Sequence, residues 1–290
     1  MTLLTVSTVK GAPGGTTLAF LLAQALAAPS YGTGPCLFLE CDPAGGDLAP
    51  ALGLLTIPGL ASLALAARHG LTADVLISHT QSPAGSPGLQ VVPGVAGPEQ
   101  GGAVRWLLDE LARILADPSI RAIADLGRLQ HDDANDSLRS AAAANLIVTG
   151  DDVASLLHTR SAVDTARRAG LALDVVVSGQ RSHGLVQVAR ATEATVIGTV
   201  RRDPMALAVL LRSDRRLAGF PRTTASRRRT EGLKGDVTAI LHSLETRGAL
   251  VPGPVPAAPP VGTRGRAALA ALRTSRAGAS REAQEAVLIG

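Results

Sequence analysis

Short apolar runs alternate with longer stretches of helical periodicity along most of the chain. The apolar runs are rich in β-branched and aliphatic residues and have the length of strands. They predict strands at Leu3–Thr8, Cys36–Cys41, Gly88–Val92, Ile120–Asp125, Ala144–Thr149, Leu173–Ser178 and Ala194–Val200. The intervening patterns predict helices at Thr17–Ala28, Leu60–His69, Ala103–Ala116, Val153–Ala169, Met205–Leu211 and Gly235–Arg247. This alternation is typical of a Rossmann-like α/β fold with a doubly wound, mostly parallel sheet.

The pattern changes after Gly248. Val251–Gly262 is rich in proline, glycine and alanine, a composition typical of a flexible linker. Thr263–Gly290 carries five arginines against two glutamates and few apolar residues, so we expect it to be largely disordered on its own. The sequence therefore predicts a folded domain over residues 1–248 and a flexible C-terminal tail over residues 249–290.

The composition indicates a large aliphatic core. Hydrophobic residues make up 46% of the chain but aromatic residues only 2%, so Val, Leu, Ile and Ala must fill the interior. Such residues suit helices packed on a parallel sheet. The formal charge of +4 is a mild bias towards polyanions.

The cysteines and the N-terminus favour a cytoplasmic protein. Cys36 and Cys41 lie on one predicted strand, about 16 Å apart, which is too far for a disulfide bond. Reduced thiols are typical of the cytosol. The chain starts with a strand-like segment, which argues against a signal peptide, and we predict no membrane-spanning helix.

A glycine-rich turn follows the first predicted strand, with the sequence Lys10-Gly-Ala-Pro-Gly-Gly-Thr-Thr17. Such a turn directs backbone N–H groups inward, where they can hold a polyphosphate, and the next helix adds the positive end of its dipole. Thr16 starts that helix, where a hydroxyl can bind Mg²⁺. The alternative is an ordinary glycine-rich turn between a strand and a helix, which binds no phosphate.

The turn resembles the deviant Walker A motif of the ParA/MinD family of P-loop ATPases, K-G-G-x-G-K-[ST]-T. Lys10 matches the signature lysine, which the resemblance implies contacts the phosphates of the neighbouring subunit in an ATP-bound dimer. Gly15 replaces the ordinary P-loop lysine, so the resemblance implies weakened ATP binding and weak or absent hydrolysis, and predicts that Gly15→Lys would strengthen binding. The implied nucleotide-binding residues are Lys10, Gly11, Ala12, Pro13, Gly14, Gly15, Thr16 and Thr17.

The second predicted strand ends in Glu40-Cys-Asp-Pro-Ala-Gly-Gly-Asp47. This segment is similar to the family's switch I motif, D-x-D-P-x-G. The resemblance implies that Asp42 orients the attacking water and contributes to the metal site, which makes Lys10 and Asp42 the candidate catalytic residues. Glu40 stands at the first aspartate and keeps its charge. The alternative is a polar loop in which Asp47 is a helix N-cap.

The segment Ile120-Arg-Ala-Ile-Ala-Asp-Leu-Gly127 is similar to a Walker B motif, although Arg121 interrupts its apolar run. Asp125 would end a buried strand, where it could hold an Mg²⁺-bound water near Thr16. A buried aspartate without a cation is costly, which favours the metal site.

The base-binding positions are the weakest part of the resemblance. The family often has an asparagine after the sixth strand, whereas this chain has Val177-Ser-Gly-Gln180. Ser178 takes that place, and Gln180 is a possible substitute. Asp203 falls in the loop that closes over the base in the family.

Basic residues cluster late in the folded domain, at Arg212, Arg215, Arg216, Arg227, Arg228 and Arg229. They indicate either a solvated surface or a patch for nonspecific contact with DNA phosphates, as in ParA-like dimers. The tail has too few apolar residues for stable membrane binding.

The resemblance implies an atypical ParA/MinD-like protein that dimerises around ATP and positions or partitions a larger assembly, with a protein partner of its own. Loss of the P-loop lysine is nearest in character to the TadZ/CpaE-like branch, which serves pilus and secretion machinery. The alternatives are a nucleotide-free scaffold with the same fold, a DNA-partitioning ATPase and, less consistent with the motifs, a metabolic P-loop enzyme.

Overall fold

The seven predicted strands form one parallel sheet in a computed structural model of the chain. The structure describes residues 2–9, 14–32, 34–129, 135–179, 183–203 and 224–250. The strands are β1 (Thr2–Thr8), β2 (Cys36–Glu40), β3 (Leu89–Val92), β4 (Arg121–Arg128), β5 (Ala144–Thr149), β6 (Asp174–Ser178) and β7 (Val196–Val200). Their order is β3-β2-β4-β1-β5-β6-β7. On one side of β1 the chain runs out to β2 and β3 and returns to β4, which lies between β2 and β1. It then continues through β5, β6 and β7 on the other side of β1, and this change of side confirms the doubly wound α/β fold.

Helices cover both faces of this sheet. The α-helices of the described residues are α1 (Gly15–Leu26), α2 (Leu48–Leu52), α3 (Leu60–Ala66), α4 (Ala73–Ser78), α5 (Pro98–Leu115), α6 (Asp136–Ala141), α7 (Val153–Arg168), α8 (Leu185–Thr192) and α9 (Thr224–Thr246). Helices α1 and α9 share a core with one face of the sheet. Helices α3 and α5 pack on the opposite face, as do α7 and α8.

The helix predictions hold best where the apolar pattern is long. Helices α1, α3, α5 and α7 occur where predicted, although α5 starts five residues earlier, at Pro98, because proline suits the first turn of a helix. Helix α9 starts at Thr224 and continues through two glycines, because its apolar residues keep helical spacing against β7. The predicted helix Met205–Leu211 lies outside the described residues.

Arg121 ties the start of β4 to the end of α1. Its guanidinium donates to the carbonyl of Leu26 at 2.8 Å, to that of Gly32 at 3.3 Å, and to that of Gly34. The carbonyls at the C-terminus of a helix lack partners within the helix, and a cation there also meets the negative end of the dipole. The arginine that interrupts the Walker B-like run is therefore a structural anchor.

The folded unit extends through Leu250, which is 5% exposed and packs with α1 and α9. The predicted linker and tail from residue 251 onward lie outside the described residues. Among the helices of the described chain, none combines the length and apolar character needed to cross a membrane.

Candidate functional site

The predicted site residues that the structure describes lie at the carboxyl edge of the sheet. Because the strands are parallel, β1, β2, β4 and β6 all end at this edge. Gly14–Thr17 follow β1, Asp42 follows β2, Asp125 lies in β4 and Ser178 ends β6. The predicted residues Lys10, Gly11, Ala12, Pro13 and Gln180 lie outside the described residues.

The end of the glycine-rich turn starts α1 directly. Gly14, the N-cap, has a φ of 105°, which only glycine adopts without strain. Leu18 donates its N–H to the carbonyl of Gly14 at 2.8 Å. A glycine N-cap has no side-chain oxygen to satisfy the first N–H groups of the helix, so they are available to an anionic ligand.

Thr8 occupies the space that a side chain at position 15 would need. A Cβ atom added to Gly15 would lie 2.2 Å from Cγ2 of Thr8. The Thr8 hydroxyl donates to the carbonyl of Gly127 at 3.4 Å, which fixes the direction of its methyl group. The sequence-based prediction that Gly15→Lys alone would strengthen ATP binding overlooks this contact, because the lysine must first displace the methyl group.

Asp125 is a buried carboxylate with one oxygen unused. It is 1% exposed, and its Oδ1 accepts the N–H of Gly127 at 3.1 Å. Its Oδ2 has no hydrogen-bond partner within the described chain. Burial raises the pKa of Asp125 to about 6, opposed by the Thr16 hydroxyl and the Gly127 N–H, while the carboxylates of Glu40 and Asp42 raise it further.

This arrangement fits a magnesium ion held together with phosphate oxygens. Mg²⁺ keeps several waters and takes one or two protein ligands beside substrate phosphates. The unused Oδ2 of Asp125 and the nearby Thr16 hydroxyl are oxygen donors of the required kind. Within the described ranges there is no group of three His, Cys, Asp or Glu placed to hold a metal by itself. The donor set therefore suits a metal that arrives with a nucleotide.

Asp42 packs against Gly127, the glycine two residues after Asp125. Its Oδ1 accepts the N–H of Ala44 at 2.8 Å, which holds the carboxylate within its own loop. A Cβ added to Gly127 would lie 2.1 Å from Cγ of Asp42, so the carboxylate packs directly over that glycine. Gly127 also has a φ of 64°. One glycine thus brings the two predicted carboxylates together at the edge of the sheet.

Glu40 holds the loop that carries Asp42, a role that the sequence did not reveal. Its Oε1 accepts the N–H groups of Asp47 at 2.7 Å and Leu48 at 3.0 Å. Its Oε2 accepts the N–H of Gly94 at 3.0 Å. Burial raises the pKa of Glu40, and these three N–H groups oppose the shift. The start of α2 is capped by this carboxylate and not, as the alternative interpretation had it, by the Asp47 side chain.

The predicted base-binding residues have other neighbours in the structure. A Cβ at Gly14 would lie 3.2 Å from Oγ of Ser178, so the hydroxyl adjoins the glycine-rich turn. Asp203 lies 3.6 Å from Nη1 of Arg229, an ion pair that links the end of β7 to α9. Arg201 makes a second link, because its backbone N–H and its guanidinium together donate three hydrogen bonds to Asp236.

The arginine cluster is only partly described. Arg227 and Arg228 are exposed on the first turns of α9, whereas Arg229 pairs with Asp203. Arg212, Arg215 and Arg216 lie outside the described residues. The predicted contact with DNA thus has two exposed guanidinium groups in its favour among the described positions.

The architecture matches solved structures of nucleotide-binding ATPases. A ParA family ATPase from Chlorobium tepidum superposes with a TM-score of 0.67 at 18% identity, covering 84% of this chain and 98% of the other. Septum site-determining protein MinD from Pyrococcus horikoshii, complexed with Mg-ADP, gives 0.63 at 16% identity, with 87% and 99% covered. The fold is that of the ParA and MinD ATPases. A variant of Cyanothece McdA in complex with ATP gives 0.59 at 16% identity, with 86% and 96% covered.

By sequence, no family model and no curated protein matches the chain. The likeness is therefore one of fold, and the ParA/MinD-like fold inferred from the glycine-rich turn is confirmed. Its assignment to a TadZ/CpaE-like branch stays a prediction.

Proposed function

We propose that this chain binds Mg·ATP at the carboxyl edge of its sheet, dimerises around the nucleotide in the cytoplasm, and positions or partitions a larger assembly. Asp125 carries the proposal. A buried carboxylate that keeps one oxygen unused is costly unless a cation completes it. Solved proteins of the same fold support the ligand, because MinD was complexed with Mg-ADP and a Borrelia burgdorferi partition protein with AMPPNP.

Each described residue has a distinct part in this proposal. The N–H groups at Gly14 and Gly15 hold phosphate oxygens at the start of α1. Thr16 and Asp125 hold the magnesium ion and its waters, and the ion neutralises phosphate charge when it is bound. Asp42, packed over Gly127, orients a water for attack.

Hydrolysis is weak in this proposal because one cation is missing. Gly15 supplies an N–H group where a P-loop lysine would add a positive charge at the β- and γ-phosphates. Lys10 of each subunit then contacts the partner's nucleotide, so ATP acts mainly as a ligand that stabilises the dimer. This balance is what we expect of a TadZ/CpaE-like positioning protein. A protein partner is consistent with the MinC:MinD cell division protein complex of Aquifex aeolicus, since a chain of that complex has this fold.

Calorimetric titration with Mg·ATP tests the site. Asp125→Asn should weaken binding by about 10–100-fold, the usual effect of removing a group that supports a metal. Asp174→Asn is the matched control, since Asp174 is a largely buried carboxylate that pairs with Arg247 at 2.6 Å at the opposite edge of the sheet. Equal affinities for the parent and Asp125→Asn would refute the magnesium site.

A nucleotide-free scaffold is the second candidate function. The contact between Thr8 and Gly15 favours it, because the Thr8 methyl group occupies the space that the lysine of an ordinary phosphate loop would need at position 15. The same titration separates the two functions. A folded parent protein that releases no heat with Mg·ATP and stays monomeric in its presence would be the scaffold.

DNA is a candidate cargo, supported by the exposed Arg227 and Arg228. Two phosphate contacts in each subunit would give salt-dependent, sequence-independent binding. Fluorescence anisotropy with random duplex DNA measures it for the parent and for Arg227→Ala/Arg228→Ala. If the double variant binds DNA with the same salt dependence as the parent, Arg227 and Arg228 of α9 do not contact the DNA phosphates.

A further inference from the structure

Glu40 is the most heavily engaged acidic side chain of the site, yet none of its bonds goes to the proposed nucleotide or metal positions. It is 1% exposed and accepts three backbone N–H groups, two at the start of α2 and one at Gly94. Asp47 ends one loop, Leu48 begins α2 directly after it, and Gly94 lies in a second loop. The first, the switch loop, comprises residues 42–47, and the second, the β3–α5 loop, comprises residues 93–97.

Two glycines make room for this carboxylate. A Cβ added to Gly46 would lie 2.2 Å from Oε2 of Glu40, and one added to Gly94 would lie 3.1 Å from the same oxygen. Neither glycine has a positive φ. Glycine is therefore needed at both positions for space and not for backbone conformation, so the two loops are built around the Glu40 side chain.

Further bonds close the switch loop around Asp42. At its start, Cys41 donates its N–H to the carbonyl of Asp125 at 2.7 Å. At its end, Gly46 donates to the carbonyl of Val95 at 2.9 Å, within the β3–α5 loop. The loop thus has one attachment to β4 and two kinds of attachment to the β3–α5 loop. A displacement of the switch loop as a whole must therefore either break these bonds or carry the β3–α5 loop with it.

We infer that Glu40 is the positioning residue of the switch loop, and that its carboxylate couples the switch loop to the β3–α5 loop so that the two move as one unit. Glutamate suits this role because its longer side chain reaches both loops from the end of β2. The functional part of the inference rests on the proposed function, since nucleotide binding is the event that would move Asp42. The coupled unit then carries that event to the start of α5, at Pro98.

Amide hydrogen exchange of the nucleotide-free protein tests the coupling. In Glu40→Gln, one carboxylate oxygen becomes an NH₂ group, which cannot accept a hydrogen bond and faces backbone N–H donors. The loss of these bonds should raise amide exchange about tenfold or more in both loops. Gly46→Ala should produce the same pattern with the charge unchanged. Gly102→Ala is the control, because a Cβ there meets nothing within 4 Å.

The outcomes of this experiment are distinct. Faster exchange in both loops for Glu40→Gln and Gly46→Ala, with Gly102→Ala unchanged, supports the inference. Faster exchange in only one loop makes Glu40 a local cap and overturns it, as does no change in either loop. If Glu40→Gln does not fold, Gly46→Ala alone decides between these results.

A second measurement asks whether the unit responds to nucleotide. Saturating Mg·ATP should protect both loops of the parent from exchange, and in Gly46→Ala protection should persist in the switch loop and be lost in the β3–α5 loop. A purely structural role of Glu40 predicts equal protection in both proteins and would overturn the coupling. If the parent binds no Mg·ATP, the proposed function fails, while exchange in the nucleotide-free protein still decides the role of Glu40.

Discussion

At the scale of single residues, the buried carboxylate of Asp125 makes the stability of the nucleotide-free protein depend on pH. Burial raises its pKa from 3.8 to about 6. Between these values the folded chain holds a proton that the unfolded chain has lost. Stability therefore falls as the pH rises from about 4 to about 6, by up to about 3 kcal/mol for a shift of this size.

Asp125→Asn should consequently stabilise the nucleotide-free protein at pH 7. The amide can still accept the N–H of Gly127, but it carries no charge to desolvate. The gain should disappear below pH 4, where the parent's carboxyl is protonated in both states. Urea unfolding at pH 7 and at pH 3.5 measures the difference. Equal urea midpoints for the parent and the variant at pH 7 would contradict this prediction.

The methyl group of Thr8 should decide whether a lysine at position 15 can be accommodated and can contact the nucleotide. Gly15→Lys alone should lower the free energy of unfolding by about 1–3 kcal/mol, the usual cost of overpacking. Thr8→Ser removes the obstructing methyl group and keeps the hydroxyl that donates to Gly127. The double variant should therefore recover stability and bind Mg·ATP about tenfold more tightly than the parent, through a charge-assisted contact.

Calorimetry of the parent, both single variants and the double variant forms a complete cycle for this pair. Thr8→Ser alone should leave the affinity near the parent value. If Gly15→Lys binds as tightly as the double variant and is equally stable, the methyl group of Thr8 is not the obstacle.

Much of the candidate site could be predicted from the sequence. Asp42 and Asp125 were predictable because parallel strands end at one edge, so motifs after successive strands must converge there. The role of Glu40 was not predictable, since it depends on Gly94, which lies 54 residues away along the chain. The obstruction by Thr8 was not predictable either, because motif spacing carries no information on the volume of neighbouring side chains.

At the scale of secondary structure, the strands were easier to predict than the helices. Each strand is a short, mainly aliphatic run, because most of its residues are buried on both faces of the sheet. Helices α2, α4, α6 and α8 have five to eight residues, too few for a helical period to repeat clearly. Helix α3 is as short, but the 3₁₀ turn Ala67–His69 continues its pattern. The start of α9 was missed because Gly232 and Gly235 suggest a break, whereas packing of Leu233, Val237 and Ile240 against the sheet overrides that preference.

The two glycines of α9 should respond differently to alanine. At Gly235 a Cβ meets nothing within 4 Å, so Gly235→Ala should stabilise the protein by about 1 kcal/mol through helix propensity. At Gly232 a Cβ would lie 2.3 Å from Nη1 of Arg201 and would disturb its ion pair with Asp236. Thermal unfolding of the two variants should therefore give a smaller gain for Gly232→Ala, by about 0.5–1 kcal/mol. Equal gains would mean that Arg201 moves aside without loss.

At the scale of the whole molecule, substitution of Lys10 tests the proposed ATP-dependent dimer. The chain has only two lysines, Lys10 and Lys234. Lys10→Ala should abolish ATP-induced dimerisation and leave much of the monomer's nucleotide binding, because the proposed contact of Lys10 lies across the dimer. Lys234→Ala is the control, since Lys234 pairs with Glu231 on α9. Light scattering at saturating Mg·ATP measures the dimerisation of both variants. If Lys10→Ala dimerises like the parent, Lys10 does not contact the nucleotide of the other subunit as proposed.

Strand β4 also limits how such a sequence can evolve. Arg121 holds the carbonyl of Leu26 at one end of α1, and Asp125 lies beside Thr16 at the other. A one-residue insertion within α1 would rotate all that follows by about 100° and shift it by about 1.5 Å, so one end would leave its partner on β4. At Gly170, in the exposed turn between α7 and β6, a Cβ would meet nothing within 4 Å. Insertions and deletions should therefore accumulate at that turn, while the length of α1 stays constant among related chains.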